Sequence, residues 1–293
     1  VSKLARSRVT VALSGDGGDE AFAGYRRYPF HMREEAVKAK LPASLRRLIF
    51  GPMAWAYPRA NWAPRMFRAK ATFEALATDR AAGYFRAITV LPDALRRQLF
   101  SGDLHASLAG YDPVSVIRDF AAEADSDNPL SVAQYVDMKT WLAGRMLVKV
   151  DRAAMANSLE VRPPLLDPSL VQWGIGLPDR LKVHGFEGKW ILKKALEPLL
   201  PRELLYRTKQ GFSMPLAGWL RGGLEDRVEA LLASDGRLTS AGLFDMRFVR
   251  RLADDHRTSR ADNSQVLWAL IMFDAFLAKP WATQSAAAVE AAA

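Results

Sequence analysis

The chain has 293 residues, 49% of them hydrophobic and 25% charged, enough apolar material for the core of one large or two modest domains. It contains no cysteine, which excludes disulfides, thiolate metal sites and a cysteine nucleophile; its four histidines (His31, His105, His184, His256) share no metal-ligand spacing. A net charge of +9 raises nucleic acid as a partner. The basic residues are spread along the whole chain among Leu, Ala and acidic neighbours, with no aromatic-laced basic stripe, so no nucleic acid is expected.

No apolar run approaches the roughly 18 residues of a membrane span. The longest, 266–277, is broken by Asp274 and reads as a buried helix, so no membrane is expected and the protein is read as cytoplasmic. Residues 1–8 carry three basic side chains with no apolar run behind them, which argues against a signal peptide. The chain starts without Met and enters a strand-like segment almost at once, as a fragment of a longer protein would.

In chain order, residues 8–13 read as a short buried strand, with Val9, Val11 and Leu13 on one side before a Gly-rich turn. Residues 26–124, rich in Ala, Leu and Arg, read as several short helices with breaks at Pro42, Pro52, Pro58, Pro64 and Pro92. Ser126-Asp127-Asn128-Pro129 is a helix start, followed at near-helical spacing by Val132, Tyr135, Val136 and Leu142. A further helical stretch covers about 145–159 and stops at Pro163-Pro164; another covers 185–200 and ends at Pro201. The last helix is expected at 264–277, packed inside, and the low-complexity tail 282–293 is expected to be disordered or weakly helical. A single strand needs partners, and no other segment has similar quality. The missing strands are expected to precede residue 1, the alternative being an all-α protein with one odd strand.

Val11-Ala-Leu-Ser-Gly-Asp-Gly-Gly-Asp-Glu20 carries the chemistry. Ser14 and Gly15 end the strand with small residues, where a ligand can approach the backbone and where amides and a hydroxyl can bond anionic oxygens. Asp16, Asp19 and Glu20 bring three carboxylates together, and beside a nucleotide one of them suits Mg²⁺, which keeps phosphate oxygens and waters. The turn matches neither a Ca²⁺ helix-loop-helix site nor a Walker loop, and a purely structural loop is the alternative.

Ser14-Gly-Asp-Gly-Gly-Asp-Glu-x-Phe-x-Gly-Tyr25 resembles the signature that follows the pyrophosphate-loop core in the asparagine synthetase family. Further blocks arrive in that family's order. Leu147-Val-Lys-Val-Asp-Arg through Arg162-Pro-Pro-Leu-Leu-Asp167 looks like its central signature. Arg207-Thr-Lys-Gln-Gly-Phe212, with Pro215 and Trp219, looks like its lysine loop, and His256 through Asn263 to Trp268 resembles its closing helix. The resemblance spans 8–277. It implies the C-terminal portion of an α/β pyrophosphate-loop (adenine nucleotide α-hydrolase-like) domain, predominantly α-helical here. Residues 1–281 would form the synthetase domain without its N-terminal half, and 282–293 the tail.

The resemblance further implies ATP and Mg²⁺ as cofactors. It implies formation of an aspartyl-adenylate from ATP and aspartate with release of pyrophosphate, then displacement of AMP by ammonia from a glutaminase domain absent here. Carried over by position, Ser14 and Gly15 contact the pyrophosphate or substrate, Asp19 helps hold Mg²⁺, Lys209 sits on the phosphates and stabilises charge at the α-phosphorus, and Gly211 lets that loop close. Asp16 stands where well-known members carry a Glu proposed to manage protons during ammonia attack; a loop-shaping role is the equal alternative. Asp151, Arg152, Glu160, Arg162 and Asp167 are read as a salt-bridge network holding the helices, and Lys149 as able to approach the nucleotide.

Two parts of the family pattern are absent from this sequence: the ATP-binding Ser-Gly-Gly-x-Asp-Ser and the cysteine-dependent glutaminase. The acceptor stays open between aspartate and another carboxylate such as an exopolysaccharide component, and a homodimer is left open. The rival readings are an inactive homologue that binds a nucleotide or a partner, and a basic helical module for nucleic acid.

Overall fold

The computed structural model describes residues 1–57, 69–207 and 214–278. These fall into two compact units: 1–57 with 69–88 and 113–207, and 89–112 with 214–278. Among the described residues no helix is long and apolar enough to cross a membrane.

The first unit is predominantly helical, as its Ala, Leu and Arg content leads one to expect. Strand β1, Val11–Leu13, has a partner within the chain, which corrects the expectation that all partners precede residue 1. It pairs in parallel with β2, Glu160–Arg162, in the register Val11↔Glu160, Ala12↔Val161 and Leu13↔Arg162. Backbone bonds from Glu160 N to Thr10 O and from Ser14 N to Arg162 O, both 3.0 Å, extend the ladder at each end. Nor is β1 buried: Val9, Val11 and Leu13 are 45%, 40% and 74% exposed, because a two-stranded ribbon covers little of its own faces.

The core of this unit forms where the helices Arg27–Lys38, Arg80–Ile88, Val114–Glu123 and Pro129–Asp137 meet around Tyr28, Tyr84, Ile117, Leu130 and Val136. Pro129–Asp137 starts where its sequence says: Asn128 Oδ1 accepts from Leu130 N (2.8 Å) and Ser131 N (3.0 Å), with proline in the first turn. Its last residue, Asp137, is fully buried, and its Oδ2 takes hydrogen bonds from Arg27 Nη2, Tyr28 OH and Tyr84 OH, each at 2.6 Å. One carboxylate thereby joins three helices, and the arginine compensates its charge.

Beyond Asp137 the chain widens into a π-helix, Met138–Leu147, before Val148–Met155 resumes α geometry, so the stretch expected at 145–159 is split and ends early. Pro42 and Pro92 stand at helix starts as expected, but Pro52 lies inside Ala43–Ala56. That helix is held by its neighbour Lys70–Ala77, with Phe50 stacked on Phe73 at 6.3 Å. Pro58 and Pro64 lie outside the described residues. The helix expected at 185–200 shrinks to Trp190–Leu196, because positive φ at Gly185 (66°) and Lys189 (58°) turns the chain first.

The expected salt-bridge network is absent among the described residues. Asp151, Arg152, Glu160, Arg162 and Asp167 are all exposed. Glu160 and Arg162 pair only with each other, at 2.6 Å, while Asp167 caps Pro168–Gly176 by accepting from Ser169 N and Leu170 N. Solvated charges need no buried partner, so nothing drives a network here.

The second unit packs its own core from Leu99, Leu216, Leu231, Phe248, Leu252, Leu267 and Leu270. Its last helix spans Ser264–Leu277 as expected and buries Val266, Leu267 and Leu270, although Met272 and Phe276 remain exposed.

Candidate functional site

The acidic turn leaves the C-terminal end of β1, which is where ligands approach open parallel sheets. Ser14 Oγ donates to Asp16 Oδ2 at 2.8 Å, so the hydroxyl and the carboxylate face each other across the turn. A Cβ at Gly15 would meet nothing within 4 Å, leaving its backbone open to an incoming group. Gly17 has φ +88°, and a Cβ there would stand 2.1 Å from Leu166 Cδ2; the sharp turn into the short helix Gly18–Ala21 therefore needs glycine for both conformation and space.

That helix carries Asp19 and Glu20 in different surroundings. Asp19 Oδ1 lies 3.0 Å from Lys189 Nζ, both side chains about a quarter exposed. Gly24 makes room for the pair, since a Cβ there would fall 2.0 Å from Asp19 Oδ1. The segment bearing Lys189 is pressed against the turn: Lys189 N donates to Phe22 O at 2.9 Å, and a Cβ on Gly188 would meet Ala23 O at 2.1 Å. Glu20 is buried, and burial pushes its carboxyl above the usual range even though it accepts from Tyr25 OH at 2.7 Å. Tyr25 OH in turn accepts from Trp141 Nε1 at 3.1 Å, tying the motif to the π-helix.

A polar clamp holds the turn from below. Gln134 Nε2 donates to the carbonyls of Glu20 (2.5 Å) and Ala21 (3.0 Å), while Gln134 Oε1 accepts from Lys182 Nζ at 2.9 Å. Lys182 is fully buried and also donates to Ile175 O at 2.9 Å; with neutral acceptors around it, burial lowers its pKa.

Beside Ser14 and Asp16 lies a cavity of about 110 Å³, walled by Leu147, Val150, Ala154, Leu159 and Val161, with Asp151 at its edge. Sites for drug-sized ligands run to about 300 Å³ or more, so this cavity suits one end of a ligand. Among the described residues no group of three or more His, Asp or Glu is placed to hold a metal. Mg²⁺ asks for less, one or two carboxylates with phosphate oxygens and waters. Asp19 supplies the one carboxylate that this modest demand needs, although Lys189 Nζ at 3.0 Å already compensates part of its charge.

Ser14, Gly15 and Asp16 thus stand together in one turn, and Asp19 lies in the short helix that follows it. Lys209 and Gly211 lie outside the described residues. Lys149 is exposed, with Nζ 3.9 Å from Met146 Sδ. Sequence reasoning missed Lys189, Gln134 and Lys182. No cap, spacing or composition cue separates these from the chain's other lysines and glutamines.

The comparison with known proteins matches a family model, asparagine synthase, over residues 1–278. The chain belongs to the asparagine synthase family. It is 30% identical over 277 residues to asparagine synthetase [glutamine-hydrolyzing] 1 of Bacillus subtilis, covering 93% of this chain and 41% of that protein. It is 34% identical over 281 residues to a putative asparagine synthetase [glutamine-hydrolyzing] of Mycobacterium bovis, covering 93% of this chain and 40% of the relative. A more distant relative, the amidase chyE of Penicillium rubens, is 24% identical over 269 residues, covering 81% of this chain and 37% of that protein. The chain therefore spans about two fifths of the length of the synthetases it matches. No solved structure gives a significant match. Membership of the family agrees with the resemblance carried by the four sequence blocks and with a predominantly helical chain.

Proposed function

We propose that this chain supplies part of the active site of an ATP-dependent amide-forming ligase of the cytoplasm, converting aspartate to asparagine through an aspartyl-adenylate. The observation that carries the reading is the segment after β1, where the Ser14 hydroxyl, the open backbone of Gly15 and two separately held aspartates lie within six residues in a chain of this family. The pyrophosphate-loop architecture is part of the same proposal, supported by a parallel strand pair that ends at this turn.

In this mechanism Ser14 and Gly15 receive the oxygens of the leaving pyrophosphate. Asp19 would lend a carboxylate to Mg²⁺, and Lys189, 3.0 Å away, holds that carboxylate in place. Bound Mg²⁺ would neutralise phosphate charge. The carboxylate of aspartate attacks the α-phosphorus and pyrophosphate leaves, with Lys209 countering the developing charge. Ammonia then attacks the acyl carbon and AMP departs. Asp16, free on one oxygen to turn from Ser14, takes the proton that the ammonium nitrogen must lose. The ammonia comes from a glutaminase domain outside this sequence.

In the full-length protein, supplied with ATP, Mg²⁺, aspartate and ammonium, Lys209→Ala is expected to abolish pyrophosphate release. Near-normal release would refute the role given to that lysine. Turnover that requires a carboxylate other than aspartate would select another acceptor instead.

A further inference from the structure

The second unit contains a cavity of about 430 Å³ between the helices Asp93–Leu99 and Met246–Arg257. Arg97, Arg247 and Arg251 line it, together with Phe100 and Phe248. We propose that this cavity is a binding site for a small polyphosphate, a function separate from the amide-forming reading and independent of it.

The walls are fixed to each other by backbone. Asp245 N donates to Leu99 O at 2.8 Å, Ser101 N donates to Leu243 O at 3.0 Å, and Phe100 packs on Phe244 with ring centroids 6.2 Å apart. A cleft joined at its floor in this way keeps its shape without a ligand. Its volume falls in the range of small-molecule sites.

Its charge is unbalanced. The one carboxylate in the lining, Asp245, is already engaged: it caps Met246–Arg257 by accepting from Arg247 N (2.9 Å) and Phe248 N (3.2 Å), and its other oxygen lies 3.3 Å from Arg247 Nη2. Arg97 and Arg251 form no ion pair among the described residues. Arg251 is nonetheless held in place, its Nη2 donating to Gln98 Oε1 at 3.0 Å and its guanidinium 4.7 Å from the centre of the Phe248 ring. Two guanidinium charges are thus presented without a counter-ion on a rigid frame.

Guanidinium groups offer paired donors that match phosphate oxygens two at a time, and the lining contains no lysine. More than one phosphate is called for because Arg97, Arg247 and Arg251 face a single carboxylate in a cavity of about 430 Å³. A neighbouring cavity of about 280 Å³ shares Arg97 and Phe100 but also carries Asp93 and Asp112, so the anion is confined to the first.

The test maps arginine accessibility on the intact protein with phenylglyoxal and mass spectrometry, with and without sodium tripolyphosphate. At a ligand concentration about ten times the dissociation constant, modification of Arg97 and Arg251 is expected to slow about tenfold. Arg227 and Arg260, exposed in the same unit, are expected to react at unchanged rates. Unchanged rates at Arg97 and Arg251 would overturn the proposal. So would equal slowing at Arg227, which is a bulk salt effect. Citrate protecting as well as tripolyphosphate would overturn the assignment to phosphate. Arg247, the third arginine of the lining, is expected to be protected in the parent and to lose that protection in Arg97→Gln/Arg251→Gln, both substitutions being at the surface; retained protection contradicts the site. No turnover is read, so failure here leaves the amide-forming reading untouched, and the reverse holds.

Discussion

The helix Arg27–Lys38 carries two titrating groups whose effects on stability oppose each other between pH 4.5 and 7. His31 is buried against Tyr84, ring centroids 4.9 Å apart, and burial lowers its pKa from 6.5 to about 4, with Lys38 and Arg80 adding to the effect and Glu35 resisting it. Glu34, in the next turn, is raised from 4.5 to about 7, again chiefly by burial, with Lys38 resisting and Glu35 adding. A histidine depressed on folding takes up its proton first in the unfolded state, so its contribution is lost as pH falls from 6.5 towards 4. A carboxyl raised on folding is protonated first in the native state, so stability falls as pH rises from 4.5 towards 7. At about 1.4 kcal/mol for each step of one in pKa, either group alone is worth about 3 kcal/mol across its window, less for Glu34 because its side chain is partly solvated. The two groups lie one turn apart and share Lys38 and Glu35 as perturbers, so their coupling is read from the double variant rather than from the sum of the two singles. Urea unfolding followed by tryptophan fluorescence at constant ionic strength, between pH 4.5 and 7, would read them. His31→Phe, which keeps a ring against Tyr84, should gain stability relative to the parent as pH falls. Glu34→Gln should gain as pH rises. Parallel curves for parent and His31→Phe would refute the burial argument.

Asp137→Asn leaves the mostly buried Arg27 guanidinium beside a neutral amide and should cost about 3 kcal/mol, the low end for a broken buried pair, by chemical denaturation. Gly24→Ala drives a methyl into the Asp19–Lys189 pair; about 1–3 kcal/mol of destabilisation is expected, visible as a lower Tm, and an unchanged Tm would mean that the turn yields freely. Asn128→Ala removes the cap of Pro129–Asp137 and should cost about 1 kcal/mol in the same assay.

What was legible in the sequence is what a few neighbouring residues decide. Asn128-Pro129 starts a helix because an amide oxygen and a proline meet the first turn's needs on the spot. Residues 264–277 form a helix because they contain neither glycine nor proline, and the Ser14–Glu20 turn announces itself through its glycines, of which Gly17 takes a φ of +88° that L side chains rarely adopt. The sequence also carries the family, whose signature blocks survive whatever packs around them. Tertiary structure alone decided the rest. Glu160–Arg162 is a strand because Val11–Leu13 lies alongside; three residues between a helix and a proline pair hold no periodicity of their own. Gln134 reaches the Glu20 carbonyl across 114 residues of sequence, and Lys189 becomes the partner of Asp19 because Gly188 lets two backbones touch. The central charged residues were expected to form a salt-bridge network and are solvated instead, since pairing depends on what packs above a residue. Contacts of this kind are selected by the shape of the folded unit, and a linear pattern encodes shape only through all of its residues at once.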